Sequence, residues 1–136
     1  RSDKPFMLIS GVFEALETLS DHYPLSIVSA RGERSTNKFL NQYGLNKFFQ
    51  AVATAQTCEH TKPYPDPIHW AAEKMGVEPK DCLMIGDTTV DILAARAAKA
   101  QSVGVLCGFG EEKELKNAGA HLIVEHTAYL PNILIR

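Results

Sequence analysis

Short apolar runs rich in β-favouring residues alternate along the chain with segments whose apolar residues recur at helical spacing. Residues 12–20 place Val12, Leu16 and Leu19 on one helical face. Directly afterwards, residues 25–29 (LSIVS) form an apolar run that predicts a buried strand. This alternation is typical of an α/β fold, in which helices cover both faces of a parallel sheet.

Turn and breaker residues delimit the elements that follow. We expect Ser35 or Thr36 to cap a helix that stops at Gly44, and Asp66 to be the N-cap of a helix that stops at Gly76. The other predicted strands are residues 51–54, 82–85, 102–106 and 122–124, and the other predicted helices are residues 90–100 and 111–117.

The composition fits one soluble domain over residues 1–136, because 45% apolar residues are enough for one core. The net charge is −2 and basic residues are scattered, so neither nucleic-acid binding nor membrane binding is indicated. Cys58, Cys82 and Cys107 lie far apart, which favours reduced thiols in a cytoplasmic protein over a disulfide framework or a zinc site. No apolar run is long enough for a transmembrane helix, and no signal peptide is visible.

Two carboxylates follow the clearest predicted strand. Asp87 ends that strand, and in an open parallel sheet this position lies in the crevice where ligands bind. Asp91 follows four residues later at the start of a helix, so both carboxylates can face one magnesium ion. Taken alone, the pair is explained more simply by a turn residue and a favourable contact with the helix dipole.

Two further residues are candidates for binding an anion. Lys62 lies in the proline-rich segment 61–67 (TKPYPDP), a stiff loop that holds its ammonium group in place, which suits a phosphorylated substrate. Ser29 ends a strand, where its hydroxyl and the following backbone amides can bind a phosphoryl oxygen. Taken singly, a surface lysine is about as good an explanation, and a turn-forming serine is a better one.

The order of Ser29, Lys62 and the pair Asp87 and Asp91 along the chain is a more specific sequence signal than any one of these residues alone. Ser29 at a strand end, Lys62 in KPYPDP and a strand followed by Gly86-Asp87-xxx-Asp91 resemble the second, third and fourth motifs of the haloacid dehalogenase superfamily, particularly its phosphoglycolate-phosphatase-like branch. The likeness extends from about Gly11 to the C-terminus. It implies a Rossmann-like core and magnesium-dependent hydrolysis of a small phosphorylated metabolite.

The resemblance also implies a role for each candidate residue. Ser29 would hydrogen-bond the phosphoryl group, and Lys62 would offset the charge of the phosphate and the nucleophile. Asp87 would coordinate Mg²⁺, and Asp91 would support the metal directly or through a water molecule. Together these roles describe a phosphatase site at the carboxyl edge of the sheet.

The sequence departs from the family pattern at two places. Ala30 stands where many members have asparagine, so that side chain's substrate contacts are lost unless Arg31 replaces them, although an exposed loop arginine is the simpler explanation of Arg31. The family's first motif, a central strand ending in Asp-x-Asp with the nucleophile and the general acid and base, does not occur in this sequence. Since the chain begins at Arg1 and not at Met, we expect it to start just after the helical cap that normally follows this motif.

A sheet without its central strand would leave unpaired backbone groups and a gap in the core. Rearrangement of residues 6–9, exchange of elements in a homo-oligomer, or a separate N-terminal segment or cap can each fill that gap. We predict little or no phosphatase activity for these 136 residues alone, because the covalent route needs the missing nucleophile.

Three other classes of protein remain as alternatives. A phosphoacceptor receiver domain also places an aspartate, a serine or threonine and a Lys-Pro pair around magnesium, but there the acidic residues come before the Lys-Pro pair, whereas Asp87 follows Lys62 here. A dinucleotide-binding module is disfavoured because no Gly-x-Gly-x-x-Gly follows the first strand. A folded but catalytically inactive remnant would bind magnesium without turnover.

Overall fold

The computed structural model describes residues 11–106 and 111–134 of the chain. Within these residues helices and strands alternate. The helices are α1 (Val12–Ser20), α2 (Glu33–Tyr43), α3 (Asp66–Met75), α4 (Thr89–Ala98), α5 (Glu112–Ala118) and α6 (Leu130–Leu134). The strands are β1 (Ser26–Val28), β2 (Ala51–Ala53), β3 (Leu83–Gly86), β4 (Gln101–Val105) and β5 (Leu122–Val124).

The described strands form two parallel sheets. One sheet pairs β1 with β2, with Ile27 opposite Val52. The other has the order β3-β4-β5, so β4 is paired on both of its edges. Among the described strands, none pairs the β1-β2 sheet with the β3-β4-β5 sheet. The predicted α/β class, with parallel sheets flanked by helices, is confirmed.

Helix α1 joins two hydrophobic clusters. Phe13 and Leu16 of α1 pack against the cluster that includes Leu40 and Phe48, whereas Leu19 packs against Val103 and its neighbours on β4 and β5. Helix α3 contacts β1, β2 and α4. These helices therefore link the two sheets even though the described strands of the two sheets do not pair.

Two predicted helix caps are wrong. Helix α2 begins earlier than expected, with Gly32 as its N-cap, and the Gly32 carbonyl accepts the amide N–H of Thr36 at 3.0 Å. Helix α3 has Pro65 and not Asp66 at its N-cap, because the Pro65 carbonyl already accepts the amides of residues 68 and 69. Proline fixes φ near the helical value, so the helical turn starts one residue sooner.

The thiols of Cys58 and Cys82 are free and partly buried. Burial is the main cause that raises the pKa of each thiol, and the negative charges of Asp66 and Asp81 respectively raise it further. Both cysteines therefore remain protonated near neutral pH, and Cys107 lies outside the described residues.

Among residues 11–106 and 111–134, no helix combines the length and apolar character needed to cross a membrane.

Candidate functional site

Polar residues follow directly after four of the five described strands. Ser29 comes after β1, Thr54 after β2, Asp87 after β3 and Glu125 after β5. The carboxyl ends of parallel strands lie on the same side of a sheet, where α/β proteins bind ligands. Ser29 and Thr54 therefore lie at one edge of the β1-β2 sheet, and Asp87 lies at the carboxyl end of a strand of the other sheet. Local sequence creates this arrangement, because each short apolar run ends where a polar residue and a turn begin.

Lys62 ties the end of β1 to the start of α4. Its ammonium group donates to the carbonyl oxygen of Val28, at 3.1 Å, and to the Oδ1 atom of Asp91. The side chains of Lys62 and Asp91 are only 12% and 5% exposed, so water screens this ion pair weakly. The structure thus brings Lys62 to the carboxyl end of β1 and, through Asp91, to the turn after β3 that contains Asp87.

Asp91 organises the turn between β3 and α4. Its Oδ2 atom accepts the amides of Asp87 and Thr88, both at 3.1 Å, and the Thr88 hydroxyl at 3.0 Å. Thr88 and Asp91 form a capping box at the start of α4, so the expected helix-terminus contact of Asp91 is present. Asp91 therefore stabilises the helix and also provides the counter-ion of Lys62.

Gly86 allows the carboxylate of Asp91 to approach the backbone of β3. A Cβ atom at Gly86 would lie 2.2 Å from the Cβ of Asp91 and 2.7 Å from its Oδ2. Both residues are buried, so neither can move aside into solvent. The glycine before Asp87 is therefore a steric requirement of this turn.

Asp87 and Asp91, the two candidate metal ligands, differ in their position and in their hydrogen bonds. Asp87 is half-buried directly after β3, and both oxygens of Asp91 accept hydrogen bonds from neighbouring groups. Over the described ranges, no group of three or more His, Cys, Asp and Glu residues could hold a metal. Magnesium needs only one or two protein carboxylates beside water and phosphate oxygens, so a site centred on Asp87 fits this ion, with Asp91 in a supporting position.

The loop after β1 contains the other predicted substrate-binding residues. The Ser29 hydroxyl oxygen accepts the amide of Arg31 at 3.0 Å, and a hydroxyl that accepts in this way can still donate its own hydrogen. Ala30 and Arg31 are exposed, with the Arg31 carbonyl accepting the amide of Ala55 at 2.7 Å. The loop therefore has a defined backbone and presents three predicted contact residues.

Two residues near this edge were missed in the sequence analysis. The motif Thr88-x-x-Asp91 is a signal for a capping box and would have identified Thr88. Gln56 gave no such signal, because its partner, the amide of Glu33, is 23 residues away in sequence. The contact between Gln56 and Glu33 forms only because β1 and β2 pair, which brings the segments that follow these strands together.

Comparison with known proteins identifies the family. The sequence profile described as haloacid dehalogenase-like hydrolase matches residues 2–105. The chain is 31% identical over 115 residues to the pyrophosphatase PpaX of Oceanobacillus iheyensis, covering 84% of this chain and 54% of that protein. It is 30% identical over 128 residues to a phosphoglycolate phosphatase of Nitrosococcus oceani, covering 93% of this chain and 57% of that protein.

Solved structures show the same likeness. The crystal structure of a predicted phosphoglycolate phosphatase from Haemophilus somnus superposes with a TM-score of 0.86 at 27% identity, over 93% of this chain and 57% of that one. A hydrolase from Pseudomonas syringae superposes with a TM-score of 0.85 at 35% identity, over 93% of this chain and 60% of that one. The chain thus spans little more than half the length of these relatives. It belongs to the haloacid dehalogenase-like hydrolases.

Proposed function

We propose that this chain provides the phosphate-binding and magnesium-binding part of a phosphatase that hydrolyses small phosphate monoesters. The buried ammonium of Lys62, held between Val28 and Asp91 at the carboxyl edge of β1, carries this proposal. Phosphoryl transfer depends mainly on positioning and on neutralising charge, which a fixed cation at this place supplies. The named phosphatases among the relatives support the same class of reaction.

In this proposal each residue has one task. A lysine ammonium has three N–H groups, and the two described partners of Lys62 use two of them, leaving one for a phosphoryl oxygen. Ser29 donates its hydroxyl hydrogen to another phosphoryl oxygen, with its own oxygen oriented by the amide of Arg31. Asp87 holds magnesium, and Asp91 fixes the turn that presents Asp87. Magnesium bound there would neutralise part of the phosphoryl charge.

The nucleophile comes from outside this chain, because no Asp-x-Asp occurs in its sequence. A carboxylate oxygen would attack phosphorus while the bond from phosphorus to the leaving oxygen breaks. The second aspartate would protonate the leaving group and then activate water to hydrolyse the aspartyl-phosphate. A separate N-terminal segment or an element exchanged between copies would bring this strand. Among the described strands, β1 pairs only with β2 and β3 only with β4, so each has one edge that such a strand could join.

The test compares this chain with one extended at its N-terminus by an apolar strand ending in Asp-x-Asp. With magnesium, we expect the chain alone to leave p-nitrophenyl phosphate intact and the extended chain to hydrolyse it. Asp87→Asn in the extended chain should lower kcat by about 100-fold or more, since a charge-stabilising group is lost. Asp81→Asn is the control, because Asp81 is exposed and lies before β3.

Each outcome of this test bears on a different part of the proposal. Hydrolysis by the chain alone that Asp87→Asn abolishes would show that the nucleophile is not external. An extended chain that folds but hydrolyses nothing would contradict the phosphatase function. It would favour a catalytically inactive member of the family or, if the chain were phosphorylated by acetyl phosphate without turnover, a phosphoacceptor module.

A further inference from the structure

The loop after β1 is joined to the segment after β2 by a series of hydrogen bonds that extends the pairing of the two strands. The amide of Ser29 donates to the carbonyl of Ala53 at 2.9 Å, and the amide of Ala55 donates to the carbonyl of Arg31 at 2.7 Å. Both bonds are between backbone groups. The predicted phosphate-binding loop is therefore held at two points by the neighbouring segment.

A third bond in this series comes from a side chain. The Oε1 atom of Gln56 accepts the amide of Glu33, the first residue of α2, at 2.8 Å. The N-cap of this helix is Gly32, which has no side chain to accept a helix amide. Gln56 therefore acts as a cap supplied from another part of the chain, and it fixes the point where the loop enters the helix.

The position of Gln56 is itself determined by a tight turn. The amide of Thr54 donates to the hydroxyl of Thr57 at 2.7 Å, and the amide of Gln56 donates to the hydroxyl of Thr54 at 3.3 Å. Thr54 is buried, so this turn is anchored in the interior. A long glutamine side chain leaving a fixed turn can hold a loop with little loss of conformational entropy beyond its own rotamers.

We propose that Gln56 is a positioning residue for phosphate binding by the loop from Ser29 to Glu33. Its bond to the Glu33 amide keeps the backbone of this loop in the conformation in which the Arg31 amide orients the hydroxyl of Ser29. Loss of the bond leaves the serine in the chain but lets its donor hydrogen move away from the phosphoryl oxygen. This inference rests on the proposed function, because it concerns the phosphate site of that reaction.

The test uses three variants of this chain. Gln56→Met is close in size and has no carbonyl acceptor, whereas Gln56→Glu retains an acceptor oxygen. Gln42→Met is the matched control, because Gln42 is an exposed glutamine on α2. For each protein we would measure amide hydrogen exchange at residues 29–33, the melting temperature, and the Kd for inorganic phosphate in the presence of magnesium.

Gln56→Met should raise the Kd for inorganic phosphate roughly 2- to 12-fold, the effect of one hydrogen bond, and should speed exchange of the Glu33 amide. Gln56→Glu should restore slow exchange of that amide, and Gln42→Met should match the wild type in all three measurements. Unchanged phosphate affinity in Gln56→Met, or an equal loss in Gln42→Met, would overturn the positioning role. Absence of phosphate binding by the wild type would contradict the proposed function instead.

Discussion

Position 86, directly before the candidate metal ligand Asp87, has room only for glycine. The side chain of Asp91 occupies the space in which any Cβ at position 86 would lie. The sequence indicates Gly86 only as part of a motif, because its contact with Asp91 depends on how α4 folds back on β3. What the sequence did indicate at this scale were the polar residues at strand ends, since each directly follows an apolar run.

Gly86→Ala should therefore destabilise the protein. The new methyl group would force β3 and α4 apart, at a cost of about 1–3 kcal/mol or more in the free energy of unfolding. Urea unfolding measures this cost. Gly32→Ala is the control, because a Cβ at Gly32 has no neighbour closer than 3.8 Å, and it should cost less. Equal stability of Gly86→Ala and the wild type would show that Asp91 does not lie where we describe it.

At the scale of elements, the hydrophobic pattern predicted each described helix and strand except α6 and the short 3₁₀ turns, with boundaries shifted by at most four residues. Apolar periodicity, glycine stops and the proline-rich loop contain this information locally. The helix starts were less predictable. The Asp66 carboxylate is hydrogen-bonded to the His60 ring at 3.2 Å instead of capping α3. Whether an aspartate bonds a helix amide or a nearby side chain depends on tertiary packing.

The ion pair between Lys62 and Asp91 joins the loop before α3 to the start of α4. Lys62→Met should cost about 3–5 kcal/mol in the free energy of unfolding, because it leaves a buried carboxylate without its counter-ion. The double variant Lys62→Met/Asp91→Asn should cost less than the sum of the two single variants, since both charges are then removed.

The exposed pair between Lys116 and Glu112 is the matched control. These side chains are 60% and 54% exposed, so Lys116→Met should change the free energy of unfolding by less than about 1 kcal/mol. Strictly additive effects of Lys62→Met and Asp91→Asn would contradict a direct ion pair between them.

At the scale of the whole molecule, the described strands form two sheets that share helices but no backbone pairing. The sequence correctly indicated an α/β fold with parallel strands, because strand and helix patterns alternate. The strand order could not be obtained from local patterns. The structure shows it, with β1 beside β2 and β4 between β3 and β5.

Amide hydrogen exchange should reveal the unequal stability of the two sheets. Strand β4 is paired on both edges and buried from Ser102 to Val105, so its amides should exchange most slowly. Amides of β1 and β2 should exchange at least roughly 10-fold faster, which corresponds to about 1.4 kcal/mol of lower local stability. Exchange in β1 as slow as in β4 would indicate that β1 is as firmly paired as the centre of the larger sheet.

We propose that Ser29, Lys62 and Asp87 together bind phosphate and magnesium. Calorimetric titration of this chain with inorganic phosphate, with and without magnesium, tests it most directly. We predict saturable binding that requires magnesium, is at least roughly 10-fold weaker in Asp87→Asn, and is unchanged in Asp81→Asn. Absence of binding by the folded chain, or equal binding by the wild type and Asp87→Asn, would contradict the account.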